Sequence, residues 1–210
     1  MARRLSALAV LATLVIPAVA PAQVGKALDI VNANVATEAE LAAVPGFTAD
    51  IVQGVLAKRP FLRQADFDAF LAPTMSPEQR KAAYGKVFVQ LNLNETTREE
   101  ILMLPMGTSR WVREFFEYRP YKGLAQFHKE MSKYVDEDKV DAMEQYVFVP
   151  IDLNTASDDA ILTIPGVGAR MLREFKEYRP WKAMAQFDKE IGKYVKADEL
   201  ARLRRYVEIR

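Results

Sequence analysis

After its first thirty residues, the chain repeats itself every 60 residues. Segments 91–150 and 151–210 share 25 identities in 60 aligned positions, without a gap. One structural unit is therefore used three times, and we divide the chain into repeat 1 (23–90), repeat 2 (91–150) and repeat 3 (151–210). Residues that recur in all three repeats are interpreted as scaffold: Asn34, Asn94 and Asn154; Pro45, Pro105 and Pro165; Arg59-Pro60, Arg119-Pro120 and Arg179-Pro180; Phe67, Phe127 and Phe187. Residues present in only one repeat are the better candidates for function.

The first 22 residues are predicted to be a secretory signal peptide. Arg3 and Arg4 precede an apolar run from Leu5 to Ile16, and small residues follow at 20–22, where a signal peptidase cleaves. Cleavage is expected after Ala22, and an uncleaved N-terminal anchor is the alternative. The apolar run is short for a bilayer span, so we expect no stable membrane span after cleavage. The mature protein is expected in the periplasm or outside the cell.

The composition excludes several kinds of chemistry. There is no cysteine, so disulfides, thiolate nucleophiles and cysteine metal sites are absent. The single histidine, His128, has no ligand set near it in the sequence and is predicted to be a surface residue without a metal or catalytic role. We therefore expect no enzyme activity, no cofactor and no small-molecule substrate. Repeat 2 has 8 basic and 11 acidic residues, and repeat 3 has 12 and 10, so only repeat 3 leans basic.

The pattern within each repeat predicts an all-α fold of short helices. Thr37 with Glu40, and Thr97 with Glu100, have the spacing of a capping box at the start of the first helix. The recurring proline ends that helix, and a second helix begins within four residues. Two further short helices follow. The β-branched and aromatic segments 87–92 and 147–152 are predicted to be extended connectors between repeats.

The segment 164–170, with the sequence IPGVGAR, is the sharpest motif in the chain. Its two glycines permit positive φ in a tight turn, while the valine between them is expected to anchor the turn between two helices. The first amides of the second helix then point outward at its positive end, which is a favourable place for a phosphate. Basic side chains along that helix can neutralise neighbouring phosphates without reading bases. The predicted nucleic-acid-binding residues are Gly166, Val167, Gly168, Ala169, Arg170, Arg173 and Lys176.

A family resemblance appears at these residues. The segments Leu153–Ser157, Ile164–Gly168 and Glu177–Arg179 resemble helix-hairpin-helix domains of the ComEA type, which occur in exported bacterial DNA receptors used in competence. The resemblance covers all three repeats and is most specific in the third. It implies three tandem, SAM-like helix-hairpin-helix units. It also implies sequence-independent binding of double-stranded DNA through backbone amides, without catalysis.

Repeats 1 and 2 depart from that family pattern. Repeat 1 reads Gly46-Phe47-Thr48 and has lost the second glycine, while repeat 2 reads Met106-Gly107-Thr108 with its glycine displaced. The turns in the second half of every repeat lack a glycine pair, and repeat 2 adds three acids at 136–138. A second hypothesis therefore remains open, in which the scaffold is a structural or protein-interaction module that no longer binds DNA. The partner is either duplex DNA or an unidentified protein.

Two sets of recurring side chains have simpler interpretations. The charged residues of the second helices, Arg110, Arg113, Glu114, Arg173 and Glu174 among them, are interpreted mainly as a solvated face with pairs three and four residues apart. The aromatic residues at helical spacing are interpreted as packing residues in preference to stacking platforms for bases. They are Trp111, Tyr118, Tyr121, Tyr178 and Trp181.

Overall fold

The computed structural model describes residues 23–26 and 28–210. In this part of the chain the fold is mostly α-helical, with twelve short helices and six strands of two residues each. The predicted signal peptide, residues 1–22, lies outside the described residues. Among the described helices, none has the length and apolar character needed to cross a membrane.

Each repeat has the same order of elements: a strand, four helices and a second strand. In repeat 1 these are β1 (Val31–Asn32), α1 (Glu38–Ala42), α2 (Ala49–Lys58), α3 (Gln64–Leu71), α4 (Pro77–Ala83) and β2 (Val87–Phe88). In repeat 2 they are β3 (Leu91–Asn92), α5 (Arg98–Met103), α6 (Ser109–Glu117), α7 (Leu124–Met131), α8 (Glu137–Glu144) and β4 (Val147–Phe148). In repeat 3 they are β5 (Ile151–Asp152), α9 (Asp158–Leu162), α10 (Ala169–Glu177), α11 (Met184–Ile191), α12 (Ala197–Arg204) and β6 (Val207–Glu208).

The first helix of each repeat begins at a hydroxyl cap, as the sequence predicted. Thr37 accepts from the Glu40 amide while the Glu40 carboxylate reaches back to Thr37, which completes the capping box. The same reciprocal pair forms between Thr97 and Glu100. Ser157 keeps the hydroxyl cap on α9 without a matching acid. These caps satisfy amides that a short helix would otherwise leave without acceptors.

The extended segments pair within each repeat. β1 lies parallel to β2, β3 to β4 and β5 to β6, with Val31 opposite Val87, Leu91 opposite Val147 and Ile151 opposite Val207. The sequence predicted the extended conformation of 87–92 and 147–152 but not this pairing. The first and last strands of a repeat therefore lie side by side and close it.

The asparagine that recurs in every repeat has a structural role. Asn34 donates through Nδ2 to the Phe61 carbonyl at 2.9 Å and accepts from the Phe61 amide at 2.7 Å. Asn94 makes the same two bonds to Tyr121, and Asn154 to Trp181. The residue held in this way follows a cis Arg-Pro bond in all three repeats. This position is scaffold, in agreement with its recurrence in the sequence.

The three repeats pack against one another near the boundary between repeats 1 and 2. The side-chain amide of Gln90 donates to the carbonyls of Gly25 and Gln145, each at 3.1 Å. From repeat 3, Arg205 donates to the Gln90 carbonyl at 2.9 Å. Val24 also forms an antiparallel bridge with Phe148. Among the described residues, the repeats therefore form one packed body. Repeats 1 and 2 share one core, and repeat 3 forms a second core together with Val24 and Phe148.

Candidate nucleic-acid interface

The hairpin of repeat 3 joins α9 to α10 through residues 163–168. Gly166 has φ of +79°, a conformation that a side chain would strain. Val167 is buried, and its amide donates to the Ile164 carbonyl at 3.0 Å. Gly166 and Gly168 are both exposed. The turn is thus anchored by its apolar residue, as the sequence predicted, and its glycines lie at the surface.

The start of α10 has no side-chain cap. Gly168 stands at the cap position, and a Cβ built there would meet nothing within 4 Å. In the other two repeats a threonine fills this position: Thr48 Oγ1 accepts from the Ile51 amide at 3.3 Å, and Thr108 Oγ1 from the Trp111 amide at 3.4 Å.

The amides of Ala169, Arg170 and Met171 consequently have no acceptor among the hydrogen bonds of residues 23–26 and 28–210. Among the second helices of the repeats (α2, α6 and α10), only α10 leaves its third amide free. In α2 and α6 the third amide, that of Ile51 or Trp111, donates to the threonine cap. An anion reaching this end would meet three N–H donors and the positive end of the helix dipole.

The three predicted basic residues differ in what they contact. Arg170 is exposed and, among the ion pairs of the described residues, has no acidic partner. Arg173 lies 3.5 Å from the Glu174 carboxylate, with its own side chain 70% exposed. Lys176 lies 2.7 Å from Asp158, and both side chains are largely exposed. Exposed ion pairs contribute little to stability, so Lys176 can exchange Asp158 for phosphate at small cost. The partner of Arg173 is a buried carboxylate, with only 6% of the Glu174 side chain exposed.

One side of the hairpin faces other parts of the fold. A Cβ built on Gly166 would lie 3.0 Å from Val35 Cγ1 of repeat 1 and 3.1 Å from Arg202 Nη2. Gly168, by contrast, faces open space. The hairpin is therefore bounded by repeat 1 at Gly166 and accessible at Gly168 and the first turn of α10.

Arg202 is a candidate functional residue near the third hairpin that the sequence did not lead us to predict. Its side chain is 1% exposed, and its guanidinium makes two bonds of 2.7 Å with Glu199 while leaving Nη1 without a hydrogen-bond partner. The corresponding residues of repeats 1 and 2 are Ala82 and Ala142. The sequence did contain one indication of its importance, because an arginine occurs at this position in repeat 3 alone. It places a buried positive charge next to the turn at Gly166.

The hairpins of repeats 1 and 2 differ from the third in the way that their sequences indicate. Gly46 keeps the positive φ, at +81°, but Thr48 then caps α2. In repeat 2, Met106 occupies the position of the first glycine, and no non-glycine residue of the described chain has a positive φ. Gly107 lies so close to the Ile101 carbonyl that a Cβ would be 2.2 Å from its oxygen. In neither hairpin is the cap position of the second helix without a side-chain cap, as it is at Gly168.

The prediction that the charged residues of α6 and α10 are exposed to solvent is wrong for two glutamates. Glu114 is 1% exposed and Glu174 is 5% exposed. Each lies next to a buried phenylalanine, Phe115 or Phe175, and the buried stripe of the helix is wide enough to include both positions. A hydrogen bond from Arg113 holds the pKa of Glu114 below its usual value, against the effect of burial.

A pair of tyrosines accompanies each buried glutamate. The hydroxyls of Tyr118 and Tyr134 are 2.7 Å apart, and those of Tyr178 and Tyr194 are 2.8 Å apart. In repeat 1 the matching residues are Gly54, Lys58 and Thr74, so this cluster is confined to repeats 2 and 3. Trp111, Tyr121 and Trp181 are buried, which agrees with their interpretation as packing residues.

The environment of His128 also differs from the sequence interpretation. Nothing near it in the sequence was expected to supply ligands, yet Asp141 and Glu144 lie beside it because α7 packs against α8. The imidazole and both carboxylates form a group that could hold a metal ion. This contact joins residues 13 and 16 positions apart, which sequence spacing on one helix cannot reveal.

No protein-family model, curated protein or solved structure matches this chain. The candidate interface therefore depends on the geometry of the third hairpin and on its differences from the two internal counterparts.

Proposed function

We propose that this protein binds double-stranded DNA without sequence specificity through the hairpin of repeat 3. The single observation that carries the proposal is the uncapped start of α10 behind an exposed Gly168. Three free amides and the exposed Arg170 form a compact set of donors for the phosphate backbone. Because none of these groups is arranged to read base edges, the binding is independent of sequence.

The scaffold that presents this hairpin is proposed to be three tandem helix-hairpin-helix units that resemble the ComEA type. The recurring pair of short helices joined by a tight turn, at α1–α2, α5–α6 and α9–α10, supports that assignment. Repeats 1 and 2 are proposed to be structural, since in each a threonine accepts a hydrogen bond from the third amide of the second helix, which repeat 3 leaves free. We propose no catalytic role and no small-molecule substrate.

The site of action is proposed to be the periplasm or the exterior of the cell. The support is the sequence of residues 1–22, with a basic start, an apolar run and small residues before the predicted cleavage after Ala22. There the protein would meet DNA outside the cytoplasm.

The experiment that tests DNA binding is a Gly168→Thr variant of the mature chain, Gln23 to Arg210. Gly168 already has the extended backbone of a helix cap, and repeats 1 and 2 have threonine at this place. The variant should fold and gain a few tenths of a kcal/mol of stability. Fluorescence anisotropy with a labelled duplex at low salt should give clear binding by the parent protein and at least about tenfold weaker binding by the variant, the loss expected from blocking a charge-assisted hydrogen bond.

The matched control is Ala183→Thr, which places a threonine at the uncapped start of α11 in the same repeat. Both changes are neutral in charge and add a cap, but only Gly168→Thr lies at the hairpin. The control should bind DNA as the parent does. Absence of binding by the parent protein, or equal binding by Gly168→Thr, would remove the proposed site.

A second candidate function is a protein-interaction module, which an apolar groove lined by residues of all three repeats favours. The groove has a volume of about 890 Å³ and is lined in part by Val24, Leu28, Val35, Leu162 and Pro165. Leu28 is 62% exposed, Val35 39% and Leu162 44%. Exposed apolar side chains gathered in one concave surface are typical of a site that receives an apolar segment of another protein.

The protein-interaction hypothesis can be tested separately from DNA binding. A photo-crosslinking residue is placed at Leu162, in the groove, or at Leu102, its exposed counterpart in repeat 2. Specific cross-linking to one protein from position 162 and not from 102 would support this second function. Equal yields from both positions would contradict it.

A further inference from the structure

His128 forms the centre of a compact group of potential metal ligands. Its Nδ1 lies 3.0 Å from Glu144 Oε1 and 3.7 Å from Asp141 Oδ1. One ligand atom from each of the three residues lies within 4.8 Å of the others. Asp141 and Glu144 are three residues apart on α8, and therefore share the face that α8 turns towards α7.

The same contact between the third and fourth helices exists in the other repeats, where arginine supplies a cation. In repeat 3, Asp188 takes the place of His128 and Arg204 takes the place of Glu144, and these two side chains form an ion pair. In repeat 1, Asp68 accepts from Arg80 at 2.7 Å and from the Tyr84 hydroxyl at 2.5 Å. Two of the three repeats thus bring a guanidinium to this position.

In repeat 2 the third helix carries His128 in place of an aspartate, and the fourth helix carries two carboxylates in place of an arginine. Among the ion pairs of the described residues, no lysine or arginine reaches Asp141 or Glu144. Burial raises the pKa of Glu144 above its ordinary value, while the hydrogen bond with His128 acts in the opposite direction. Apart from His128, no cationic side chain among the described residues pairs with these two carboxylates.

We propose that His128, Asp141 and Glu144 bind a zinc ion, which fills the place that arginine occupies in repeats 1 and 3. Zinc bonds to nitrogen and oxygen ligands are about 2.0–2.2 Å long, which sets neighbouring ligand atoms of a tetrahedron about 3.4 Å apart. The two distances from His128 Nδ1 fall on either side of that value. The side chain of Asp141 is 60% exposed, so a water molecule can complete the coordination from the solvent side.

The ligand set distinguishes zinc from the common hard cations. Magnesium and calcium prefer six or more oxygen ligands, whereas an imidazole with two carboxylates suits zinc and its transition-metal neighbours. The zinc site is formed by side chains of repeat 2 alone, and it does not depend on DNA binding.

The experiment uses the single histidine as its reporter. Mature protein without a polyhistidine tag is titrated with zinc chloride at neutral pH while the imidazole resonances are followed by NMR. Because His128 is the only histidine in the chain, one set of signals should move and saturate at one zinc ion per chain. Calorimetry should give the same stoichiometry, and magnesium chloride should move nothing.

Two variants distinguish the site from a surface histidine that binds zinc alone. Asp141→Ala installs the residue of repeat 3, Ala201, and should lower the affinity at least about tenfold, since even the partners of metal ligands typically contribute 10–100-fold. The double variant His128→Asp with Glu144→Arg recreates the Asp188–Arg204 pair and should remain folded while losing zinc binding.

The outcomes decide the proposal. A saturable shift of the imidazole that weakens in Asp141→Ala supports it. Imidazole signals that respond to pH but not to zinc would overturn it, because the cation at this position would then be the protonated histidine itself. Equal zinc affinity in the parent and in Asp141→Ala would also overturn it.

Discussion

The side-chain amide of Asn154 forms two hydrogen bonds with the backbone of Trp181, donating to its carbonyl at 3.0 Å and accepting from its amide at 2.7 Å. The two residues are 27 positions apart, and the same pair of bonds occurs at equivalent positions in repeats 1 and 2. One asparagine thereby fixes the segment that leads into the third helix of each repeat.

Replacing Asn154 with alanine should destabilise the protein by about 2–4 kcal/mol. The change leaves the amide and carbonyl of Trp181 without partners, and an unsatisfied buried group costs about 1–3 kcal/mol. Urea unfolding followed by tryptophan fluorescence measures the change. Thr155→Ala is the control, because its exposed hydroxyl bonds only to Asp152 and its loss should lie within about 0.5 kcal/mol of zero. Equal losses in the two variants would contradict the structural role of Asn154.

Gly166→Ala should destabilise the hairpin by about 1–2 kcal/mol, whereas Gly168→Ser should not. Gly166 has φ of +79° and close neighbours in Val35 and Arg202, so a side chain is strained there. Gly168 has an extended backbone and open space, and serine is a favoured cap. Thermal unfolding of both variants tests the difference. A Gly166→Ala protein as stable as its parent would show that the left-handed turn is not required.

Arg63→Ala should destabilise the contact between repeats 1 and 2 by about 1–3 kcal/mol at neutral pH. Arg63 donates to both carboxylate oxygens of Glu100, at 3.1 and 2.7 Å, and the Glu100 side chain is only 3% exposed. Although burial acts in the opposite direction, the hydrogen bonds from Arg63 and Thr97 hold the pKa of Glu100 below its ordinary value.

The same ion pair predicts a dependence on pH. A carboxyl group with a lowered folded pKa stabilises the protein above its unfolded pKa, about 4.3, and loses that effect as the pH falls through the folded value. The difference in urea midpoint between the parent and Arg63→Ala should therefore be largest near neutral pH and shrink below about pH 4. A difference that stays constant down to pH 3 would show that Arg63 acts through packing and not through charge.

Arg170→Ala should weaken DNA binding and make it less dependent on salt. Each phosphate contact contributes about 0.9 to the slope of log affinity against log salt, so loss of Arg170 should lower the steepness of that slope by about 1. Arg110→Ala is the control, because Arg110 is the counterpart in repeat 2, where its guanidinium lies 5.2 Å from the Tyr134 ring. The slope should be unchanged in that variant. Equal effects of the two substitutions would place the DNA contact outside the third hairpin.

Local features of the fold could be predicted from the sequence because their causes are local. Thr37 and Glu40 are three residues apart, and a capping box needs only that spacing. Pro45 and its counterparts end the first helix through the geometry of a single ring. The mostly helical character followed from such signals. The internal comparison distinguished the third hairpin by its two glycines, and the structure adds that Thr48 and Thr108 cap the helices where Gly168 does not.

Contacts between distant residues could not be predicted in the same way. The parallel pairing of Val31 with Val87 joins the two ends of a repeat. No periodicity in either segment indicates which segment it pairs with. Glu114 and Glu174 have charged neighbours in sequence that suggest exposure, but the helix turns them towards tyrosine hydroxyls. The ligand group at His128 and the position of Arg202 beneath Gly166 likewise exist only because separate helices pack together.

The strand that opens each repeat lies beside the strand that closes it, and this has a consequence for how such a chain can grow. A unit whose two ends are neighbours can be duplicated or removed as a whole, because the flanking polypeptide rejoins over the distance of one strand spacing, about 4.8 Å. Gene duplication can therefore lengthen the array by whole units, with only the packing contacts between neighbouring repeats left to adapt. Each added copy is then free to change its own hairpin while the older ones keep the assembly folded.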